Sequence, residues 1–228
     1  MCNSEVLAKC GRRVAAHWAH IAADCDPWSE PETPWHREWK SLAPPERREV
    51  VIGHHRADAV ASDGRIVEIQ HSPIATADID AREAHYRRML WIFDARRAAD
   101  RVRFNACRRC RGIGSYAGEV DCDNCDGSGT WTGDHASGEC YSCDGSGSVW
   151  RQRAIECEAC GGEGWEAPTP GTLYVVWPRA RLDWTSATCP VVLDFGHEIL
   201  RVIRVYESAP LAFVGRPVTR EAIASWMA

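Results

Sequence analysis

Eight of the twelve cysteines in this chain fall into four copies of one spacing, and no other feature restricts its fold so tightly. The copies are CRRCRGIG from Cys107, CDNCDGSG from Cys122, CYSCDGSG from Cys140 and CEACGGEG from Cys157, each fitting C-x-x-C-x-G-x-G. Two cysteines two residues apart can turn both sulfurs onto one tetrahedral ion. The glycines admit the left-handed backbone of a tight knuckle and leave backbone N–H groups free to face thiolate. Each knuckle supplies half of a four-cysteine site, so four knuckles imply two zinc ions. Free thiols in loops would have no reason to repeat one spacing four times.

The 228 residues suffice for one sizeable core, or a core with a small module. A net charge of −5 gives the whole chain no pull toward nucleic acid or acidic membrane, so any nucleic-acid site must be local. The opening MCNSEVLAKCGRR lacks the apolar stretch of a secretory signal, and no apolar run approaches a membrane span. With cysteines spaced for metal rather than for disulfides, a cytoplasmic protein without a membrane partner is expected. Between Cys107 and Gly164, ten acidic residues stand against five arginines and no lysine. A segment this acidic repels phosphate backbone, so a structural or protein-contact role is expected of it. It holds few apolar residues, so its fold should depend on metal, worth on the order of 10–16 kcal/mol per site.

Motif for motif, Cys107 to Gly164 resembles the cysteine-rich zinc domain of DnaJ-type co-chaperones. The resemblance implies that the outer knuckles share one zinc (Cys107, Cys110, Cys157 and Cys160) and the inner knuckles the other (Cys122, Cys125, Cys140 and Cys143). The rest of the chain departs from a co-chaperone, since no His-Pro-Asp tripeptide occurs in it.

The flanks read as a different, α/β domain. ETPWHREWKSL predicts a helix with Thr33 as N-cap and Pro34 in its first turn. REVVIGHH, RADAVA and RIVEIQH predict strands, TADIDAREAHYRRM a helix, and MLWIFDA a buried strand parallel to an earlier one. TLYVVWP, two strands about Gly196 in PVVLDFGHEILRVIRVYE, and a last helix capped by Thr219 follow the knuckles. GGEGWEAPTPG marks the exit from the cysteine segment. The expected plan is an α/β domain over 1–104 and 167–228, with a zinc module inserted at 105–166.

In that domain HRADAVASDGRIVEIQHSPI predicts a β-hairpin whose polar positions hold Asp58, Glu68 and Gln70. Glu68 and Gln70 share a face. A two-residue turn at Asp63-Gly64 would pair Asp58 with Ile69 and turn it to the other face. A three-residue loop, Ser62-Asp63-Gly64, would pair Asp58 with Glu68 and put Gly64 where a left-handed residue is wanted. Both turns are open at this point. Two carboxylates side by side cost about 0.2–1 kcal/mol unless a cation compensates, and with one amide they make an oxygen-rich site for Mg2+ or Mn2+.

The order α-β-β-β-α-β, with D…E-x-Q on the second and third strands, resembles the PD-(D/E)xK nuclease superfamily. More specifically the N-terminal part resembles the CoiA competence-protein family. It carries HWAH from His17, the E-x3-H-x3-K series Glu32, His36 and Lys40, HRADA from His55, VEIQHSPI from Val67 and REAHYRRMLWIFD from Arg82. The resemblance implies a metal-dependent nuclease acting on nucleic acid, with DNA the expected substrate. Asp58 and Glu68 would hold the metal, Gln70 would stand where many relatives have lysine, and Lys40 would supply the missing charge. Glu32 would be an accessory acid, with His36 and Lys40 on one helix face. Two other readings stand beside this one: a catalytically silent nucleic-acid-binding protein, and a zinc-dependent, chaperone-like adaptor with a protein partner.

Lesser features remain. Cys10, His17, His20 and Cys25 give an irregular third zinc spacing, with the histidines expected in a loop or turn. Cys2 and Cys189 receive no role. Arg56, Arg82 and Tyr86 could meet phosphate, and Trp28, Trp35 and Trp39 could stack on bases, though tryptophans are more often core.

Overall fold

The computed structural model describes residues 6–10, 17–20, 28, 32–132, 137–167 and 169–228, without the side chains of Val6, residues 17–20, Arg153 and Ala154. In chain order, the first elements are strands β1 (Val6–Lys9) and β2 (His17–His20), then helix α1 (Pro34–Lys40). Strands β3 (Arg48–Ile52), β4 (His55–Val60) and β5 (Ile66–Gln70) follow, with helix α2 (Thr76–Tyr86) and strand β6 (Met89–Asp94). Next come β7 (Arg103–Phe104), β8 (Ser115–Asp121), β9 (Thr130–Thr132), β10 (Ser137–Glu139) and β11 (Ser148–Glu156). The last are β12 (Leu173–Trp177), β13 (Val191–Asp194), β14 (Ile199–Tyr206), β15 (Leu211–Pro217) and helix α3 (Arg220–Met227). The protein is thus mixed α/β and dominated by sheet. None of its described helices is long and apolar enough to cross a membrane.

The chain forms two compact units. One comprises Met1–Ala99, Arg181–Val202 and Pro217–Ala228; the other comprises Asp100–Ala180 and Ile203–Arg216. In the first unit the strand order is β3-β4-β5-β6-β13 and then the start of β14. β5 and β13 run parallel to β6, and the other pairs are antiparallel. All residues of β5, β6 and β13 are buried, as parallel central strands covered on both faces should be. Side chains alternate across the sheet. Val67, Ile69, Leu90 and Ile92 join Trp35 and Trp39 of α1 and Ile223 and Met227 of α3 in one core. Glu68 and Trp91 belong to the other set, where Arg82 and Glu83 of α2 reach them.

Buried Asp194 ties that core together. Its Oδ2 accepts from the indoles of Trp35 (2.8 Å) and Trp39 (2.9 Å), and from Arg220 on α3 (3.2 Å). Trp35 and Trp39 are therefore core, not base-stacking surfaces. Both predicted N-caps are present: Thr33 accepts from the His36 N–H and Thr219 from the Ala222 N–H. The strand predicted in REVVIGHH ends at Ile52, because Gly53 (φ 63°) and His54 turn the chain back into β4. β15 has no counterpart among the predicted elements.

The second unit holds the knuckles and an antiparallel β15-β12-β7 arrangement. It is larger than residues 105–166. The Ala106 N–H donates to Tyr174 O in β12, the Glu166 N–H donates to Asn105 O, and Ala106 bridges to Trp165. These bonds join the entering neck to β12 and the two necks to each other, so the strands flanking the knuckle segment cluster with it.

Candidate functional site

The cysteines assemble in two sets of four: Cys107, Cys110, Cys157 and Cys160, and Cys122, Cys125, Cys140 and Cys143. These are the outer-with-outer and inner-with-inner pairings that the DnaJ resemblance implied. The Sγ–Sγ separations across knuckles are 3.9 and 3.7 Å in the first set, 3.8 and 3.7 Å in the second. A tetrahedron of sulfurs about 2.3 Å from a central zinc has edges of about 3.8 Å, so each set has the size of a Zn2+ cage. The Gly114 and Gly164 N–H groups each donate to a sulfur, of Cys110 and Cys160, at 3.2 Å. The last glycine of each knuckle explains the motif's far end. A Cβ on Gly129 would lie 2.3 Å from Gly145 O, and one on Gly147 2.3 Å from Gly127 O, so paired knuckles meet backbone to backbone. Tyr116, which the motif does not announce, sets its hydroxyl 3.2 Å from Cys157 Sγ.

The first unit carries a second assembly. Ala59 pairs with Val67 and Val60 with Ile66, a register that puts Asp58 and Glu68 on the same face of the sheet. The Ala61 N–H donates to Arg65 O and the Gly64 N–H to Ala61 O, closing the three-residue loop Ser62-Asp63-Gly64 with Gly64 at φ 79°. The longer of the two turns is the one formed. The ladder then opens at Asp58, whose Oδ2 accepts from the Ile69 N–H at 2.8 Å.

Helix α1 supplies the other wall. His36 Nε2 lies 2.9 Å from Asp58 Oδ1. Lys40 Nζ is ion-paired with Glu32 and Glu49 and lies 3.9 Å from Asp58 Oδ1. Opposite, Arg82 Nη1 meets Glu68 Oε2 at 2.7 Å, and Arg82 Nη2 donates to Trp28 O at 2.9 Å. The Gln70 amide donates to Ser72 O at 2.9 Å. All six residues named from the sequence (Glu32, His36, Lys40, Asp58, Glu68 and Gln70) line one cavity of ≈410 Å3, together with Trp28, Glu49, Arg56, Ile69 and Arg82. Glu49 was invisible to sequence reasoning, since one glutamate in REVVI carries no spacing signal. Arg82 and Trp28 were named only as residues that could contact substrate. Tyr86 does not line the cavity.

Charge in the cavity is unbalanced by burial. Glu68 is only 3% exposed, and burial together with the nearby Asp58 charge pushes its carboxyl up to about 8, against the pull of Arg82. Burial pulls Lys40 down, but its bonds to Glu32 and Glu49 and the charge of Asp58 outweigh it and raise the ammonium above its ordinary value. Glu68 Oε1 has no hydrogen-bond partner among the described residues. An orphaned carboxylate oxygen in a cavity beside a second carboxylate fits a hard divalent ion, which Mg2+ sites meet with one or two carboxylates plus water or phosphate oxygens. Among the described residues, only the cysteine sets bring three or more ligand atoms within 4.8 Å of one another. In the cavity the carboxylates are held by protein cations.

The third zinc grouping is not assembled by what is described. Cys25 and Cys2 lie outside the described residues, as do the side chains of His17 and His20, and Cys10 is exposed. His17 and His20 stand on strand β2, paired with β1, rather than in a loop or turn; they enter the ladder opposite Lys9 and Val6.

No family model, no curated protein and no solved structure matches this chain.

Proposed function

We propose that the protein is a divalent-metal-dependent nuclease with a PD-(D/E)xK-type core resembling the CoiA family, acting on DNA in the cytoplasm. One observation carries this reading: six residues named from separated sequence motifs line a single cavity. The element order α1-β3-β4-β5-α2-β6 and the hairpin register that faces Asp58 toward Glu68 support it.

In this reading Asp58 and Glu68 hold Mg2+ or Mn2+. When bound, the ion polarises a phosphate oxygen and acidifies a water for attack at phosphorus. The chain's own groups do the rest. Lys40 keeps a permanent positive charge beside Asp58, where charge builds on the transferring phosphate, and so stands in for the lysine that Gln70 replaces. Arg82 opposes the protonation of Glu68 and fixes its direction. His36 holds the other side of the Asp58 carboxylate. Burial of Glu68 and Gln70 keeps bulk water from the ligand oxygens.

Incubation with single- and double-stranded DNA and Mg2+ or Mn2+, beside Glu68→Ala, tests this. Cleavage by the native protein that falls at least ~100-fold in the variant is expected. Equal cleavage by both, or none by either, ends the reading. DNA retention on a gel without cleavage would select a silent binding protein instead, which the pairing of Glu68 with Arg82 favours.

The zinc module is assigned structure and protein contact. Its exposed Tyr141, Trp150 and Trp165, on a segment too acidic for phosphate, favour a protein partner. Suppression of client aggregation that is lost with residues 107–164 deleted would support a chaperone-like adaptor; no such suppression would count against it.

A further inference from the structure

Six non-glycine residues among those described have positive φ. Arg87 ends a helix, and Asn105, Arg111, Asp126 and Asp144 lie in turns. Glu49, at φ 54°, alone sits inside a strand. An L-residue avoids this region, and a strand gives no local reason to enter it. Such strain persists only where the surroundings impose it, and it gathers at functional sites.

The surroundings of Glu49 are specific. Arg48 pairs with Ala59 and Val50 with Ala57, so Glu49 and Asp58 fall between two paired positions of the ladder, where Glu49 bends out of the regular pairing. The twisted backbone delivers the Glu49 carboxylate into the cavity. One oxygen takes the Lys40 ammonium, and Oε2 accepts from Arg56 Nε at 2.8 Å. Glu49 thus bridges two cations, one 10% exposed and inside, the other 54% exposed. With Glu32 it forms a two-carboxylate clamp that keeps Lys40 Nζ 3.9 Å from Asp58 Oδ1.

We propose that Glu49 is a positioning residue: it fixes Lys40 and Arg56 as the cationic pair that receives the substrate phosphate, and its strained backbone is maintained for that purpose. The inference rests on the nuclease reading. Lys40 is long and flexible, and its charge assists only if it is held where the phosphate will be. Glu49 does not touch the reacting atoms; it acts through Lys40.

The chain has two lysines, which makes the test direct. Lys9 is exposed and serves as an internal reference for amine acetylation followed by mass spectrometry. In the native protein Lys40 should acetylate at least ~10-fold more slowly than Lys9, as a buried, doubly paired ammonium must. In Glu49→Gly, which also suits φ 54°, Lys40 labelling should rise several-fold while the melting temperature does not fall. Cleavage with Mn2+ should lose at least ~10-fold in kcat, with KM changed less. Glu49→Gln keeps a carbonyl for Lys40 and should fall between native and Gly in both readouts. Unchanged Lys40 labelling in both variants would overturn the clamp. Increased labelling with native kcat would overturn its purpose, and a lower melting temperature in Glu49→Gly would reduce Glu49 to a structural residue. If the native protein does not cleave, the nuclease reading fails, while the labelling arm still decides whether Glu49 holds Lys40.

Discussion

The two candidate sites of this protein are built on opposite plans. The cysteine sets take their ligands from four short knuckles whose geometry is written in each eight-residue repeat, and their sulfurs already stand at the edges of a zinc tetrahedron. The cavity of the first unit takes its groups from α1, β3, β4, β5 and α2, and its acids are held by Lys40, Arg56 and Arg82. The first is a cage of the size that holds a zinc ion. The second is a charged cavity that folds with its own cations in place. The difference teaches that ligand spacing alone can mark a metal cage, whereas a charged cavity is assembled by register and by groups distant in sequence.

The largest effect that separates the plans is metal removal. A strong zinc chelator at pH 7 should abolish hydrogen-exchange protection across residues 107–164, because on the order of 10–16 kcal/mol per site is withdrawn. Amides of α1, α2 and β6 should keep theirs. Protection that survives in the knuckles, or disappears everywhere at once, would break the contrast.

Next in size is a glycine comparison. Gly129→Ala drives a methyl to 2.3 Å from Gly145 O at φ 74° and should cost about 3 kcal/mol, read as a lower melting temperature and faster zinc loss. Gly64→Ala at the hairpin loop meets no atom within 4 Å and carries only the left-handed penalty, about 1–2 kcal/mol. Similar costs at the two sites would deny that knuckle pairing depends on backbone contact.

Proton competition should distinguish the sites further. A carboxyl raised to about 8 must shed its proton to ligate, so Mn2+ affinity at the cavity should rise with pH up to about 8 and then level. Below that value the slope should approach about tenfold per pH unit, equal to about 1.4 kcal/mol. Calorimetric titration at pH 6, 7 and 8 measures it. An affinity flat across this range would show that Glu68 does not bind the ion. Glu68→Ala should remove the slope.

Much of the fold was legible in residues. Thr33 and Thr219 announced two helix starts, the apolar run Met89–Asp94 announced a parallel strand, and Gly196 announced a turn. The missed parts have physical reasons. Gly53-His54 looked like the end of a strand because a two-residue turn leaves little trace in composition. The extent of the second unit depends on β7, β12 and β15 pairing across long separations, which no local window records.

By itself the sequence determined the cysteine pairs and the knuckle glycines, because spacing along a chain is set by covalent geometry, while the six cavity residues were named together through the resemblance of their motifs to the CoiA family. Only the tertiary structure decided which knuckles pair, which of two turns closes the hairpin, and therefore that Asp58 faces Glu68. It also brought in Glu49 and set Arg82 against Glu68. The physical reason is that a one-residue change in register moves a side chain to the other face of a sheet. Local sequence permitted both registers. The one that formed lets Val67 and Ile69 meet the core of α1 and α3 while Asp58 and Glu68 face each other in the cavity.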